Sequence, residues 1–328
     1  MNHLYPFKFE PIIKDKIWGG NKLKTILNKH EATDKSGESW EISSIEENIS
    51  VVSNGFLEGN DLQEIIEIYM GDIVGEKVFE KYGVEFPLLI KFIDATDDLS
   101  IQVHPDNELA KKRHNAYGKT EMWYVVQAEK DSQLISGFNQ EINQEILNES
   151  INNNTLIKYL NHENVKKGDV FFLPAGRIHA IKKGILLAEI QQTSDITYRL
   201  FDWNRPDEHG NFRELHVDLA LDAIDYKLIE NYKTSYNLIN DFSSEIIKTE
   251  FFTTNIINLT KSINLNYSLL DSFVILMCLE GSFSIIDDNN LTTIVNMGET
   301  VLIPAVLENI NLITDSCAKL LEVYIDLK

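Results

Sequence analysis

One short segment of this chain occurs twice, and the repetition narrows the folds that the chain can adopt. The first copy, KKGDVFFLPAGRIHAI, begins at Lys166, and the second, VNMGETVLIPAVLENI, begins at Val295. Aligned on Gly168 and Gly298, both read glycine, an acidic residue, a strand-forming run, proline and alanine. That order is typical of a turn glycine, a buried strand and a proline that ends the pairing of the strand.

A second pair of similar segments lies upstream of the two copies. EMWYVVQAEKDSQLISG starts at Glu121, and SFVILMCLEGSFSIID starts at Ser272. Two matches in the same order indicate that one unit, a hairpin followed by a strand, is present twice. We therefore predict two related β-barrels in tandem.

The rest of the chain also favours a mainly β fold with a few inserted helices. Short runs rich in Val, Ile, Phe and Tyr are separated by Gly, Asp and Asn, a pattern typical of a sandwich or barrel. Strands are predicted at 39–44, 87–94, 121–126, 169–175, 186–192, 273–279, 283–287 and 300–306. Helical patterns cover 62–83, where apolar residues recur at helical spacing, and 139–162.

The predicted boundary between two domains lies near 226–247, a polar and irregular stretch. Residues 1–230 would form an N-terminal domain that includes the helical insertions. Residues 231–328 would form the C-terminal domain.

Composition excludes several classes of protein. The chain of 328 residues is 43% hydrophobic, so it can bury a core without disulfides. A formal charge of −21 argues against nucleic acid as a partner. The densest basic run, AKKRH at 110–114, is predicted to be the solvated face of a helix.

The N-terminus lacks the pattern of a signal peptide, and no apolar run reaches the roughly 18–20 residues of a membrane span. Cys278 and Cys317 form no CxxC pair, and we expect both to be small buried residues in a reducing compartment. We therefore predict a cytoplasmic protein that does not enter a membrane.

The stretch LSIQVHPD, residues 99–106, carries polar side chains on one face of a predicted strand. Gln102 and His104 are two residues apart, so both point to the same side. Glu121 opens the next strong strand, and His179 follows a strand end. Two imidazoles, one carboxylate and one amide oxygen can hold a divalent first-row metal ion. Taken singly, each residue has a simpler structural reading, such as a hydrogen-bonded histidine or a solvent-facing glutamine.

The repeat favours a metal site in the first barrel alone. In the alignment Glu121 corresponds to Ser272 and His179 to Asn309, and the QVH strand has no counterpart. Core packing would not require this asymmetry, whereas a metal site in one barrel would. We therefore predict that the second barrel is degenerate and binds no metal.

Further polar residues are spaced so that their side chains can point toward the predicted metal site. Lys119 precedes Glu121 by two residues, and a lysine beside a bound cation favours an anionic substrate between them. In AEIQQTSDITYRLFDW, even numbers of residues separate Glu189, Asp195 and Arg199. If this stretch is extended, their side chains point to the same face. A buried arginine there could balance carboxylates or stabilise developing oxyanion charge, although a surface Glu–Arg pair fits the spacing equally well. The other histidines are interpreted as surface or structural residues: His3, His30, His114, His162, His209 and His216.

Together these motifs resemble the type I mannose-6-phosphate isomerases, or phosphomannose isomerases. The resemblance is carried by LSIQVHPD, KTEMWYVV, GDVFFLPAGRIHAI and AEIQQTSDITYRLFDW, and earlier by IIKDKIWGG, GESWEISS and PLLIKFIDA. It runs in order from about residue 6 to residue 225, and the chain length resembles the short bacterial members.

The resemblance implies two tandem cupin barrels, each a double-stranded β-helix or jelly roll, and a zinc-dependent enzyme. That enzyme would interconvert D-mannose 6-phosphate and D-fructose 6-phosphate through an enediol or enediolate. The resemblance implies one zinc ion per chain, with four ligands: Gln102, His104, Glu121 and His179. It implies catalytic roles for Arg199, Lys119 and Glu189, and substrate binding by Ser100, Lys119 and Asp195.

Two other functions remain open at this point. An iron-dependent cupin dioxygenase would use two histidines and one carboxylate, and Lys119 and the added glutamine argue against it. A sugar-binding cupin without turnover would not need the complete ligand set. The sequence also leaves open the oligomeric state and the catalytic base, for which Glu189, Lys119 and a metal-bound water are all candidates.

Overall fold

The computed structural model describes residues 3–207 and 209–327, and the fold is mainly β, as the sequence predicts. The strands are β1 (Phe7–Lys8), β2 (Ile12–Gly20), β3 (Ser36–Ile42), β4 (Ser44–Ile45), β5 (Asn48–Ile49), β6 (Leu88–Ala95), β7 (Ile101–Val103), β8 (Glu121–Ala128), β9 (Gln133–Phe138), β10 (Leu160–Asn164), β11 (Val170–Leu173), β12 (His179–Ile181), β13 (Ile185–Gln192), β14 (Tyr198–Phe201), β15 (Ser244–Lys248), β16 (Thr253–Leu259), β17 (Ile263–Asn266), β18 (Val274–Glu280), β19 (Ser282–Ile286), β20 (Thr292–Asn296), β21 (Thr300–Ile303), β22 (Asn309–Ile313) and β23 (Ala318–Tyr324). The α-helices are α1 (Lys22–Thr25), α2 (Leu62–Tyr69), α3 (Gly71–Val74), α4 (Glu76–Tyr82), α5 (Asn107–His114), α6 (Gln144–Asn152) and α7 (Val217–Ala223), and 3₁₀ turns occupy Gly55–Leu57 and Leu156–Tyr159.

The N-terminal half contains two antiparallel sheets that enclose one core. The first has six strands in the order β11-β8-β13-β6-β3-β2, and the second has five in the order β10-β9-β12-β7-β14. Trp123, Phe171 and Leu187 are among the buried side chains of this core. The strands that carry the predicted metal ligands, β7, β8 and β12, therefore lie on both walls of one barrel.

The C-terminal half repeats the arrangement with sheets β1-β21-β18-β23-β16-β15 and β17-β22-β19-β20. Its first sheet includes β1, from the start of the chain, with Phe7 paired to Leu302. The most extensive core cluster takes buried residues from both halves, among them Phe92, Ile275 and Leu321. The two barrels are thus joined by a core that both contribute to and by β1, an N-terminal strand that belongs to the C-terminal sheet.

Each predicted strand overlaps an observed one: β3, β6, β8, β11, β13, β18, β19 and β21. The helical pattern at 62–83 is divided into three short helices, because the backbone adopts positive φ at Met70 and Gly75. The pattern at 139–162 contains α6 and a 3₁₀ turn, and its end belongs to β10. The basic run at 110–114 lies in α5, where Lys111 and Lys112 are exposed as predicted.

Cys278 is buried as predicted, but Cys317 is exposed, so the prediction for Cys317 was wrong. It lies in the loop between β22 and β23, outside the apolar alternation of either strand. Among the described residues, no helix has the length and apolar character required to span a membrane.

The backbone confirms the repeat, but the alignment of the second hairpin with the first needs one correction. Gly168 and Gly298 both adopt positive φ, 89° and 86°, at the turn before β11 and β21. The residue before the repeated proline pairs with Glu121 in the first barrel and with Val274 in the second. The counterpart of Glu121 is therefore Val274 and not Ser272, because the sequence alignment began the second hairpin two residues too early.

The QVH strand also has a counterpart, which corrects the expectation that it has none. His179 on β12 pairs with Gln102, and the equivalent Asn309 on β22 pairs with Asn266 on β17. Because β17 reads INLN, no histidine identified it in the sequence. The second barrel thus keeps the strand and replaces its metal-type side chains.

One carboxylate near the predicted site is retained in both barrels. Glu189 on β13 lies opposite Trp123, and Glu322 on β23 lies opposite Leu276, two residues after Val274. Glu322 is buried and accepts hydrogen bonds from neutral groups: Tyr267, Asn255 and Ser243.

Candidate metal centre and active-site cavity

Strand pairing brings the four predicted ligands together on the inside of the first barrel. His179, the first residue of β12, lies directly opposite Gln102 in β7. His104 follows β7, and Glu121 is the first residue of β8 on the facing sheet. The side-chain period of two that motivated the prediction places Gln102 and His104 on one face. We refer to Gln102, His104, Glu121 and His179 as the cage.

The donor atoms of the cage have the spacing of ligands around one metal ion. Nε2 of His179 lies 3.3 Å from Oε1 of Glu121, and Nε2 of His104 lies 3.6 Å from Oε2. The amide Nε2 of Gln102 lies 3.3 Å and 3.5 Å from the same two imidazole nitrogens. Tetrahedral ligands at about 2.0–2.1 Å from a metal ion lie roughly 3.3–3.4 Å apart. The cage therefore fits a small divalent cation.

Both histidines are held in the tautomer that a metal ligand requires. Nδ1 of His104 donates to the carbonyl oxygen of Ile196 at 2.7 Å, and Nδ1 of His179 donates to that of Arg177 at 2.8 Å. Each Nε2 is then the unprotonated nitrogen and faces the cage. Such hydrogen bonds from the second nitrogen are usual for metal-bound histidine.

Burial determines the protonation of the cage. Burial, reinforced by the charge of Lys119, holds the pKa of His104 well below its usual range and lowers that of His179 to about 3. Burial also raises the pKa of Glu121 to about 7, although Lys119 opposes this. Oε1 of Glu121 is buried without a hydrogen-bond partner among the described residues. A cation is the ligand that satisfies all three groups at once.

Lys119 lies at the edge of the cage, as its two-residue spacing from Glu121 predicts. Its ammonium donates to Oε2 of Glu121 and lies 3.2 Å from Nε2 of His104. The side chain is buried. Lys119 therefore connects the cage to the adjoining cavity.

Glu189 is buried in the wall of this cavity between two neighbouring strands. Lys91 on β6 lies 3.1 Å from one carboxylate oxygen, and Nε1 of Trp123 on β8 donates to the other at 2.8 Å. Burial alone would raise the pKa of Glu189, but Lys91, Lys119 and the Trp123 hydrogen bond lower it to about 2. Glu189 therefore stays ionised at neutral pH and is a poor proton acceptor.

The surface pair of Glu189 and Arg199, which fitted the spacing as an alternative, does not form, because Glu189 is buried with Lys91 and Trp123 as partners. Arg199 on β14 lies opposite Gln102 and is half-buried, and its Nε has no hydrogen-bond partner in the part of the chain that the structure describes. Burial and the charge of Arg213 lower the pKa of Arg199. Ser100 is buried and donates to Oε1 of Gln102 at 3.2 Å. Asp195 is exposed at the cavity rim.

Gln102 of the cage and the adjoining Lys119 line a cavity of about 350 Å³, which is within the range of small-molecule sites. Its lining contains every predicted substrate-binding and catalytic side chain: Ser100, Lys119, Glu189, Asp195 and Arg199. It also contains residues that the sequence analysis did not single out, notably Lys14, Lys16, Glu38, Lys91 and Arg213.

Some of these residues carried a signal in the sequence. Lys91 is the one cation of the apolar strand LLIKFIDA, and a lysine in a buried strand requires a buried partner. Glu38 accepts from Nε1 of Trp40 and lies 3.3 Å from Lys16. Arg213 lies in a polar loop with no periodic pattern, so nothing in the sequence distinguished it.

Comparison with known proteins gives consistent results. A family model described as the catalytic domain of type I phosphomannose isomerase matches residues 6–132. Mannose-6-phosphate isomerase ManA of Bacillus subtilis is 36% identical over 282 residues, which make up 84% of this chain and 86% of that protein. The mannose-6-phosphate isomerase of Streptococcus mutans is 35% identical over 249 residues, 76% of this chain and 77% of that protein.

Solved structures agree with the fold. The crystal structure of the Bacillus subtilis mannose 6-phosphate isomerase superposes with a TM-score of 0.88 at 28% identity and covers 98% of this chain and 100% of its own. A structure from Archaeoglobus fulgidus, at 20% identity and a TM-score of 0.80, shows the same fold.

Proposed function

Because this chain belongs to the type I mannose-6-phosphate isomerase family, we propose that it interconverts mannose 6-phosphate and fructose 6-phosphate with one zinc ion. The observation that carries the proposal is the cage, with two unprotonated imidazole nitrogens and a buried carboxylate within 4.8 Å of one another. The cavity beside it has room for a small, anionic substrate.

Gln102, His104, Glu121 and His179 would hold the metal ion. Rotation of the Gln102 amide would turn its oxygen toward a cation, since its nitrogen now faces both imidazoles. When bound, zinc would supply Lewis-acid polarisation of an oxygen at the reacting end of the sugar. With the cage occupied, Lys119 would release Glu121 and turn toward the substrate.

Isomerisation moves a proton between C1 and C2 of the open-chain sugar and generates negative charge on oxygen. We assign the proton transfer to Lys119, whose neutral amine would take the proton from one carbon and return it to the other, because Glu189 is committed to Lys91 and Trp123 and Glu38 to Lys16 and Trp40. Arg199, with a free donor beside Gln102, is placed to stabilise the oxyanion. Ser100 and Asp195 would contact sugar hydroxyls.

A coupled assay for fructose 6-phosphate tests the proposal. The purified full chain should convert mannose 6-phosphate, lose activity with a chelator and recover it with zinc. His104→Gln should abolish both zinc retention and turnover. His30→Gln, which changes an exposed histidine far from the cage in sequence, is the matched control and should retain both.

The competing functions give different results in the same experiment. Iron in the purified protein together with oxygen consumption would establish a dioxygenase instead. Binding of mannose 6-phosphate without metal-dependent turnover would establish a sugar-binding cupin.

A further inference from the structure

The cavity beside the cage is cationic, although the chain as a whole carries a net charge of −21. Six lining side chains are lysine or arginine and three are carboxylic acids. Two of the acids are already paired with lysines, Glu38 with Lys16 and Glu189 with Lys91. Among the described residues, neither arginine of the lining, Arg199 or Arg213, forms an ion pair with a lining carboxylate.

The carboxylate of Asp202 holds the guanidinium of Arg213 in a fixed orientation. Asp202, a buried residue outside the cavity lining, accepts from Nε of Arg213 at 2.7 Å and from Nη2 at 2.6 Å. This two-point contact fixes the plane of the guanidinium and leaves Nη1 outside the pair. A second arginine, Arg205, contacts the same carboxylate at 3.2 Å and helps to fix it.

The backbone places Arg213 beside Arg199. The N–H of His216 donates to the carbonyl oxygen of Arg199 at 2.8 Å, and the N–H of Arg199 donates to Nδ1 of His216 at 3.3 Å. These bonds hold the segment 213–216 along β14. Both guanidinium groups line the same cavity, and the charge of Arg213 acts on that of Arg199, whose buried Nε has no hydrogen-bond partner among the described residues. Like charges at close range favour an anion beside them.

We propose that Arg213 binds the phosphate group of the substrate at the outer end of the cavity. The inference rests on the proposed function, because it assumes that the reacting carbons lie at the cage. In an open-chain hexose 6-phosphate, the phosphate lies at the opposite end from C1 and C2. His104, Glu121 and His179 of the cage are buried, whereas the Arg213 side chain is 27% exposed, so Arg213 lies closer to solvent than these three residues.

The chemistry of the two arginines then differs along the cavity. Arg199 lies next to Gln102 and thus near the reacting carbons, whereas Arg213 is anchored by Asp202, which lies outside the cavity lining. A guanidinium held flat by a carboxylate presents its remaining donor in a fixed direction, which suits a phosphate oxygen. Phosphate binding at Arg213 would recognise the substrate without taking part in proton transfer.

Steady-state kinetics of the zinc-loaded full chain test this assignment. Arg213→Gln should raise KM for mannose 6-phosphate by about tenfold or more, because a charged hydrogen bond is lost, and should change kcat much less. The inhibition constant of inorganic phosphate should rise in parallel. Arg213→Lys, which keeps the charge and a contact to Asp202, should give an intermediate KM.

Arg113→Gln is the matched control, since Arg113 also pairs with a carboxylate, that of Asp222, but lies outside the cavity lining. It should leave KM and phosphate inhibition at the parental values. A KM and a phosphate inhibition constant for Arg213→Gln within twofold of the parent would overturn the proposal. So would an equal rise in Arg113→Gln, which would indicate a general loss of positive charge.

A direct binding measurement separates this proposal from the proposed function. If the parent chain forms no fructose 6-phosphate, the isomerase assignment fails, but calorimetric titration with inorganic phosphate still tests Arg213. Weaker binding by at least about tenfold in Arg213→Gln, with unchanged binding in Arg113→Gln, would support the site. Equal binding by parent and both variants would reject it.

Discussion

Glu121 combines two properties that couple metal binding to proton release. It is fully buried, and burial raises its pKa to about 7 in the metal-free protein. A metal ion requires the ionised carboxylate, so binding below pH 7 must displace a proton. The two histidines add little to this effect at such pH values, because burial already keeps them neutral.

Zinc affinity should therefore weaken as the pH falls below 7 and level off above it. Each unit below the raised pKa of Glu121 should cost about a factor of ten, so we expect roughly tenfold weaker binding at pH 6 than at pH 8. Competition with a chromophoric chelator measures this. Glu121→Gln should bind more weakly with a flatter pH dependence. Identical affinities at both pH values would contradict the assignment.

Arg199 should act on the rate of the chemical step. Its free Nε lies beside the cage, where negative charge would develop on oxygen. Arg199→Ala should lower kcat far more than it raises KM, in contrast to the pattern expected for Arg213→Gln. Steady-state kinetics of the two variants side by side provide the measurement. An unchanged kcat would remove Arg199 from the transition state.

At the scale of strands, the alternation of side chains between the two faces of a strand accounts for most of the predicted site. Gln102 and His104 followed from alternation in one strand, and Glu121 and His179 from residues at strand ends. The Lys91–Glu189 pair did not follow, because it depends on β13 lying between β6 and β8, an order that no local pattern encodes. The register of the repeat was also misread, since apolar runs tolerate a two-residue shift.

The Lys91–Glu189 pair across β6 and β13 should contribute to stability as a unit. Removing one partner leaves the other as an uncompensated buried charge, which typically costs about 3–5 kcal/mol. Lys91→Met should therefore lower the free energy of unfolding by that order and raise the pKa of Glu189. The double variant Lys91→Met/Glu189→Gln should recover part of the loss.

Chemical denaturation of the parent, the two single variants and the double variant completes the cycle. If Lys91→Met were as stable as the parent, the pair would contribute nothing to the fold. If the double variant lost the sum of the two single effects, the residues would act independently.

At the scale of the whole molecule, the two barrels share structure that a cut at residue 230 would divide. β1 belongs to the sheet of the C-terminal barrel, and the core that contains Phe92 and Ile275 spans both halves. The division into residues 1–230 and 231–328, predicted from the sequence, thus remains a proposal about organisation. The two parts would be barrels that depend on each other for folding.

Expressed separately, the two fragments should fail to fold cooperatively, because each would expose apolar surface that the other covers. We expect binding of a hydrophobic dye and no sharp thermal transition for either fragment, and a single transition for the full chain. A fragment 1–230 that melts sharply near the parental temperature would show that the barrels are independent.

The matched register of the two barrels has a consequence for ancestry. The simplest account of two barrels with the same sheet order and the same turn glycines is duplication of one ancestral unit. Positions of the cage then have internal counterparts with different side chains, as with Val274 in place of Glu121. Glu322 shows what persisted: a buried carboxylate, now supported by neutral donors where Glu189 has Lys91. The chain thus contains two versions of one barrel, and the second shows that the fold persists without the cage.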